Sequence, residues 1–383
     1  MPSHEGTPGA TPREAPARLP RRWPIKRIVQ IVVSVALVVG IFAYAIPKLA
    51  DYSKVWDSIT QMTRLEIASL VAATIFNLVT YWWLNMASIP GLGLWQAAVN
   101  NQTTTSVANT IPGGGYLAVG LGYAMYRSWG FPGSAIALSV AVTGIWNVFM
   151  KLGLPVIALA LLAIEGQASG GLVVGASVGV VVLAVAVALF VLVLWKKAFA
   201  RRIGDLLGGA LSFLRRLARK PPLSDFGEVV VRFRRQTIDL VAGRWVALTL
   251  TTVLSHLALY FVLLLALRHV GVSEHEIGWA QVLGVFAFGR LVTALPLTPG
   301  GLGVVELSYI GGLILAGRSH ADVPPEVFRA QIAAAVLVFR GLTYGIQIPL
   351  GGITYLIWRA KKSWRRPAPE EPEFVTSLRP ATE

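Results

Sequence analysis

Two Pro-Gly-Gly turns, Pro112 to Gly115 and Pro299 to Gly301, fall inside long apolar stretches in opposite halves of this chain. Proline removes a backbone donor, and adjacent glycines admit dihedrals that end a helix. In hydrocarbon, the groups freed by such a break must line a protein-enclosed cavity or meet a partner. Matched breaks in two halves of a membrane protein build a binding site near the bilayer midplane.

That the surroundings are hydrocarbon follows from the apolar runs at 28–46, 65–89, 133–164, 171–195, 245–267 and 327–358, with two more around the turns. Each is long enough for a bilayer core of about 30 Å. With 55% hydrophobic and 14% charged residues, the expected class is an all-α polytopic membrane protein. There is no cysteine, which excludes disulfides, a thiolate nucleophile and an iron–sulfur cluster. The net charge of +15 sits at the membrane edges. It therefore reads as topology and attraction to anionic lipid, with no nucleic-acid partner.

The polar connection at 196–244 is dense in basic residues, Lys196, Lys197, Arg201, Arg202, Arg215, Arg216 and Arg219 among them, and the positive-inside rule puts it in the cytoplasm. Arg21, Arg22, Lys26 and Arg27 put the N-terminus there as well. The span that follows lacks a clear cleavage pattern and reads as a retained anchor. Counting crossings from these points, 94–130 begins and ends on the cytoplasmic side and 278–317 begins and ends outside. The stretch 327–358 returns to the cytoplasmic cluster Arg359, Lys361, Lys362, Arg365 and Arg366. The expected fold is an inverted repeat of full span, broken hairpin and full span, with the hairpins either re-entrant or fully crossing. Residues 1–27 and 359–383 are expected as basic, proline-rich cytoplasmic tails, disordered over the first 24 residues and from Arg366 on, around a transmembrane domain at 28–358.

Within the connection, Phe199, Ile203, Leu206, Leu207, Leu211, Leu214 and Leu217 recur at helical spacing, and after Pro221 and Pro222 the pattern resumes at Phe226, Val229, Val230 and Phe233. Two amphipathic helices are expected, the second opened by a capping box of Asp225 and Glu228. They either rest on the membrane as a linker or engage anionic headgroups.

Four charges lie at membrane depth, Lys151, Arg290, Glu306 and Arg340. Each costs about 2.5–3.5 kcal/mol at a helix centre unless paired, hydrated or ligand-bound. Aligning Pro112 on Pro299 brings Lys151 within two positions of the equivalent of Arg340. Glu306 stands about one turn into the helix after Gly301, where the helix dipole favours a carboxylate. It either pairs with Arg290 or Arg340, or meets a cationic headgroup or a coupling proton. The guanidinium groups and the glycine-turn amides of Gly113, Gly114, Gly115, Gly300 and Gly301 suit a phosphate. Asn100, Asn101, Thr103, Thr104, Thr105, Ser106, Asn109 and Thr110 add neutral polar groups, either lining a cavity or bonding the broken backbone.

No P-loop, HExxH or GxSxG pattern is present, so no cofactor and no catalytic residue is assigned. The histidines are dispersed. His256 reads as a polar helix contact, and the run Glu274, His275, Glu276 points its side chains in different directions, so no metal site is assigned.

The stretch RLVTALPLTPGGLGVVE from Arg290 to Glu306, with FRGLTY from Phe339 to Tyr344 and NTIPGGGYLAVGLGYAMYRSWG from Asn109, resembles the lysylphosphatidylglycerol synthase transmembrane family, the flippase-like domain of multiple-peptide-resistance proteins. The resemblance covers about 28–358, and the tails and first glycine turn look like stand-alone actinobacterial members. It implies a non-enzymatic protein of the bacterial cytoplasmic membrane that translocates, or helps translocate, a lipid with a modified polar headgroup. It carries family residues onto Arg290, Pro299, Gly300, Gly301, Gly303, Glu306 and Arg340, and more loosely onto Pro112 to Gly115. Family members that make aminoacylated lipid carry a soluble transferase domain after the membrane region, and this sequence ends about 25 residues past Trp358, so synthase activity is not assigned.

The expected partners are membrane lipids, whether an anionic or aminoacylated phospholipid or a lipid-linked sugar, together with a lipid-modifying enzyme. Two other readings stay open: a membrane-embedded transferase acting on a polyprenyl or glycolipid substrate, and a non-catalytic scaffold of envelope synthesis.

Overall fold

The computed structural model describes residues 32–367 apart from 34, 35, 37, 112, 167–169, 218–225, 294–297 and 318–320. The described residues form an all-helical protein in which six helices are long and apolar enough to cross a membrane. In chain order these residues form α1 (Val38–Leu49), α2 (Tyr52–Thr60), α3 (Arg64–Ser88), α4 (Leu94–Thr110), α5 (Gly114–Ser128), α6 (Gly133–Ile164) and α7 (Gly170–Trp195). After them come α8 (Lys197–Leu217), α9 (Phe226–His269), α10 (Trp279–Val292), α11 (Val304–Gly317), α12 (Pro325–Arg340) and α13 (Gln347–Ala360).

Local sequence explains where these helices start and stop. Thr63 and Glu66 form a reciprocal capping box at the start of α3, and Asp51 caps α2 by accepting from the Ser53 amide at 2.8 Å. Between α12 and α13 the chain does not break but widens into one π turn at Gly341–Gly345, so the span expected at 327–358 is continuous with a local bulge.

Two boundaries differ from the sequence expectation. The amphipathic segment from Phe226 and the span expected to start at Trp245 are one 44-residue helix, α9, about 66 Å long at 1.5 Å per residue. No proline interrupts 226–269, and the amphipathic and apolar patterns join without a break. Arg244 does not mark an end. It donates to the Met86 carbonyl at 3.2 Å and, more weakly, to that of Ala87 at 3.5 Å, serving carbonyls that the end of α3 leaves without partners. The second difference is α2, an amphipathic helix packed against α12 that the expected spans passed over. Asp225 of the expected capping box and residues 28–31 of the first span lie outside the described residues. Glu228 pairs with Arg201 of α8 at 3.1 Å.

Packing follows one scheme. The long helices α3 and α9 lie against each other, α4 packs on α5 and α10 on α11, α10 lies against α6, and α4 against α13. The largest buried cluster, which includes Phe286, Tyr309, Leu263, Ile310 and Phe339, sits among α9 to α12. The α4–α13 contact is close enough to require glycine. A Cβ on Gly351 would fall 2.1 Å from Ser106 Cβ and 2.4 Å from the Gln102 carbonyl oxygen, whereas one on Gly352 would meet nothing within 4 Å. Gly351→Ala is therefore expected to destabilise the purified protein by about 1–3 kcal/mol through overpacking. Gly352→Ala is expected to be neutral or stabilising by up to about 1 kcal/mol through helix propensity. Thermal unfolding of the two variants in detergent measures the difference.

Candidate functional site

The first turn is held by the row of small polar residues on α4. Thr104 bonds the Asn100 carbonyl at 2.8 Å and Thr110 bonds that of Ser106 at 2.7 Å. Ser106 reaches the Ile348 carbonyl at 2.9 Å, Thr103 meets Thr354 at 2.9 Å, and Asn100 donates to the Gly122 carbonyl at 3.2 Å. Part of the row thus serves the backbone and knits α4 to α5 and α13. The side chains of Asn101, Thr105 and Asn109 make no such bond among the described residues, and all three face a cavity. At the turn, Gly113 takes a φ of 69°, in the left-handed region, and α5 begins at once.

The second turn is a single 3₁₀ turn, Pro299–Gly301, with Gly300 at φ 56° and Gly301 at φ 74°. Successive left-handed residues make glycine obligatory. At Gly300 space also demands it, since a Cβ would lie 2.4 Å from the Tyr344 ring and 2.8 Å from Asn109 Oδ1. Helix α11 starts after Gly303, and its third residue, Glu306, turns back so that Oε2 accepts the Gly303 amide at 2.6 Å. The other oxygen, Oε1, accepts from Arg340 Nε at 2.6 Å. Arg340 also donates to the Gly300 carbonyl at 3.2 Å and stacks over Tyr344, 4.4 Å from the ring centroid. The Tyr344 hydroxyl lies 2.6 Å from the Asn109 carbonyl oxygen and 3.1 Å from that of Pro299. One phenol thus joins the two broken regions, and the turns from opposite halves of the sequence meet.

Where they meet, a cavity of about 560 Å³ opens. Asn109, Gly113, Gly114, Gly115, Lys151, Arg290, Pro299, Gly300, Gly301 and Arg340 line it. Of the other residues singled out in the sequence, Gly303 and Glu306 stand behind the wall, with Glu306 only 1% exposed, and Pro112 lies outside the described residues. Asn77, Tyr81, Thr293, Tyr309 and Gln347 also line the cavity and were not singled out. Asn77 and Tyr81 stand one turn apart on α3, and in the sequence such a pair reads equally as a helix contact. Only the meeting of α3, α11 and α13 with the turns gives these residues a common wall.

The four charges at membrane depth divide into two kinds. Glu306 and Arg340 are a buried pair with three further contacts on Arg340 and Glu306 from the turn and Tyr344. Lys151 and Arg290 form no ion pair among the described residues, and the Nε of Arg290 is buried without a hydrogen-bond partner. Lys151 lies on α6 four residues before Pro155, which cannot donate to its carbonyl. His256 bonds the Thr252 carbonyl through Nδ1 at 3.0 Å and stays within its own helix. No group of three or more His, Asp or Glu residues capable of holding a metal occurs among the described residues. His275 lies 3.6 Å from Asp322, while Glu274 pairs with Arg268 and Glu276 caps the Ser273 amide.

A family model described as Lysylphosphatidylglycerol synthase TM region matches residues 31–351. A comparison with the curated proteins found no match.

The division of charges predicts opposite signs on mutation. Glu306→Gln leaves Arg340 without its counter-charge and is expected to destabilise by about 3–5 kcal/mol, as breaking a buried pair does. Lys151→Met and Arg290→Met remove unpaired cations and are expected to stabilise, by at most about 2.5–3.5 kcal/mol each on insertion scales. Apparent melting temperatures of the three variants in detergent, compared with wild type, give the signs directly.

Proposed function

The chain belongs to the lysylphosphatidylglycerol synthase TM region family, whose transmembrane domain is non-catalytic and flippase-like, and from that premise we propose that it moves a lipid headgroup across the bilayer through the cavity between its two glycine turns. One observation carries this reading: Lys151 and Arg290, in no ion pair among the described residues, share a cavity wall with the glycines of both turns. Two unpaired cations inside a membrane protein are costly to keep, and a lipid phosphate is the anion that repays them there. Guanidinium and ammonium groups would take the phosphate, while Asn101, Thr105 and Asn109 offer amide and hydroxyl contacts to the rest of the headgroup.

The fold supports an inverted repeat as the machinery. Three of the helices beside the turns, α4, α5 and α10, have 17, 15 and 14 residues, about 21–26 Å of helix each and short of a full hydrocarbon crossing, whereas Pro299–Gly317 is long and apolar enough for one. The packing of α10 on α6 has its counterpart in that of α4 on α13, and α3 and α9, the first spans of the two halves, pack on each other. In this proposal the hairpins are re-entrant and enter from opposite faces, so that loosening one turn opens the cavity to one side. Both termini and α8 lie on the cytoplasmic side, and the transmembrane domain runs from 28 to 358. A transferase would need a base at this site. Glu306, the acid beside it, has both oxygens engaged by Arg340 and the Gly303 amide.

Two measurements test the proposal. In liposomes, wild-type protein is expected to accelerate transbilayer movement of tail-labelled phospholipid, and folded Lys151→Met or Arg290→Met to lose at least about tenfold of that rate, the worth of one charge-assisted contact. Unaltered movement in both variants would refute the role of the cavity. For topology, the absence of cysteine allows single reporters without background. Pro90→Cys is expected to label only from the cytoplasmic face and His275→Cys only from outside.

A further inference from the structure

A second compartment of about 320 Å³ adjoins the cationic cavity and shares Thr105, Ala108 and Gly115 with it. It lies among α3, α4, α5 and α6, and its polar lining is neutral, with Asn85, Asn100, Thr104, Ser139 and Thr143 beside the phenols of Tyr123 and Tyr126. Several of these hydroxyls already donate within their own helices, Thr104 to Asn100 and Thr143 to Ser139, and so present acceptor lone pairs to the space. The Asn85 amide makes no hydrogen bond among the described residues. Donors and acceptors are therefore both offered, as a hydroxyl-bearing group requires.

Neither compartment has an Asp or Glu on its wall among the described residues. Glu306, the nearby acid, is buried behind the wall with both oxygens taken. Two of the aromatic faces at the cationic cavity are already occupied. Tyr344 carries Arg340 on its face, and Tyr309 stacks on Phe286 and meets Phe339 edge-on. An ammonium-bearing headgroup would find Lys151 and Arg290 beside it and no counter-charge.

From this juxtaposition we infer that the headgroup taken is anionic and hydroxyl-rich, a phosphate followed by a polyol or sugar, and that lysine-esterified headgroups are excluded. The phosphate sits with Lys151 and Arg290, and the hydroxyl-bearing part extends past Thr105 into the neutral compartment. The inference rests on the translocation reading for the headgroup's route, and it names the substrate class for the same site.

The test uses full-length protein in liposomes and in detergent, with lipids labelled on the acyl tail so that headgroups stay intact. Phosphatidylglycerol, phosphatidylinositol and a polyprenyl-phosphate-linked sugar are compared with lysyl-phosphatidylglycerol and phosphatidylcholine. At least one of the first three is expected to move about tenfold faster than either of the last two, as electrostatic discrimination at a charged site provides. A response to phosphatidylinositol or to the sugar lipid alone identifies which source carries the shared chemistry. Asn85→Asp, nearly isosteric, is expected to slow the polyol lipids and to narrow the gap to lysyl-phosphatidylglycerol. Lysyl-phosphatidylglycerol or phosphatidylcholine moving as fast as the polyol lipids in wild type overturns the inference while leaving translocation intact. Thermal stabilisation by each lipid in detergent provides the second readout. Selective stabilisation by the polyol lipids with no movement of any lipid upholds the headgroup class and overturns the translocation reading. Equal stabilisation by all five lipids overturns the inference.

Discussion

The rest of the site depends on how the broken backbone at Pro299–Gly301 is satisfied. A helix interrupted inside hydrocarbon exposes amides and carbonyls that water cannot serve. Here Glu306 takes the Gly303 amide, Arg340 takes the Gly300 carbonyl, and Tyr344 reaches the carbonyls of Pro299 and Asn109. The carboxylate–guanidinium bond at 2.6 Å closes this set into a ring that joins α11, the turn and α12. Because Tyr344 also binds the end of α4, the position of one turn fixes the position of the other. The cavity is the space left between two turns that are each prevented from closing on it.

Charge is then divided by geometry. A buried pair held by extra hydrogen bonds is a stable feature of a fold, whereas an unpaired cation in the same membrane is a standing cost. Arg340 lies in the first category despite lining the cavity, and Lys151 and Arg290 lie in the second. The family match covers the residues that carry this arrangement, and under the translocation proposal the positive wall is where an anionic headgroup would be held.

Much of this was legible in the sequence because the signals were local. Proline and adjacent glycines mark a helix break wherever they fall, which is why the turns and the helices around them were found. Charges in apolar runs are conspicuous, so Lys151, Arg290, Glu306 and Arg340 stood out, and the sequence left Arg290 and Arg340 as alternative partners for Glu306. Only three-dimensional placement distinguishes them. The polar row on α4 could be read equally as cavity lining or as backbone support, and the structure divides it, with Ser106 and Thr103 turned to α13 and Asn101, Thr105 and Asn109 to the cavity. Asn77 and Tyr81, four residues apart on α3, and Gln347 on α13 carry no charge or chain break that marks them in the sequence, and only packing brings them to one wall. The boundary expected at Arg244 was placed by a composition change, and an α-helix passes through a change in polarity without interruption when no proline or paired glycine stops it.

Lys151 and Arg340 occupy nearly matching positions after the two turns, and the contrast between them argues for divided labour. Arg340 offers a planar fork that can serve Glu306, the Gly300 carbonyl and the Tyr344 face together. A lysine could not make that set of contacts, because its ammonium is a single point charge on a flexible stem. At position 151 no carboxylate faces the side chain among the described residues, so a fork would have nothing to grip until a ligand arrives. Under the translocation proposal, a flexible point charge suits a group that meets a phosphate, follows it and releases it. If the halves are related by inversion, the same position has become a lock in one half and a ligand contact in the other. The first turn, lacking an equivalent of the Glu306 pair among the described residues, is then the more easily loosened of the two and the natural place for the cavity to open.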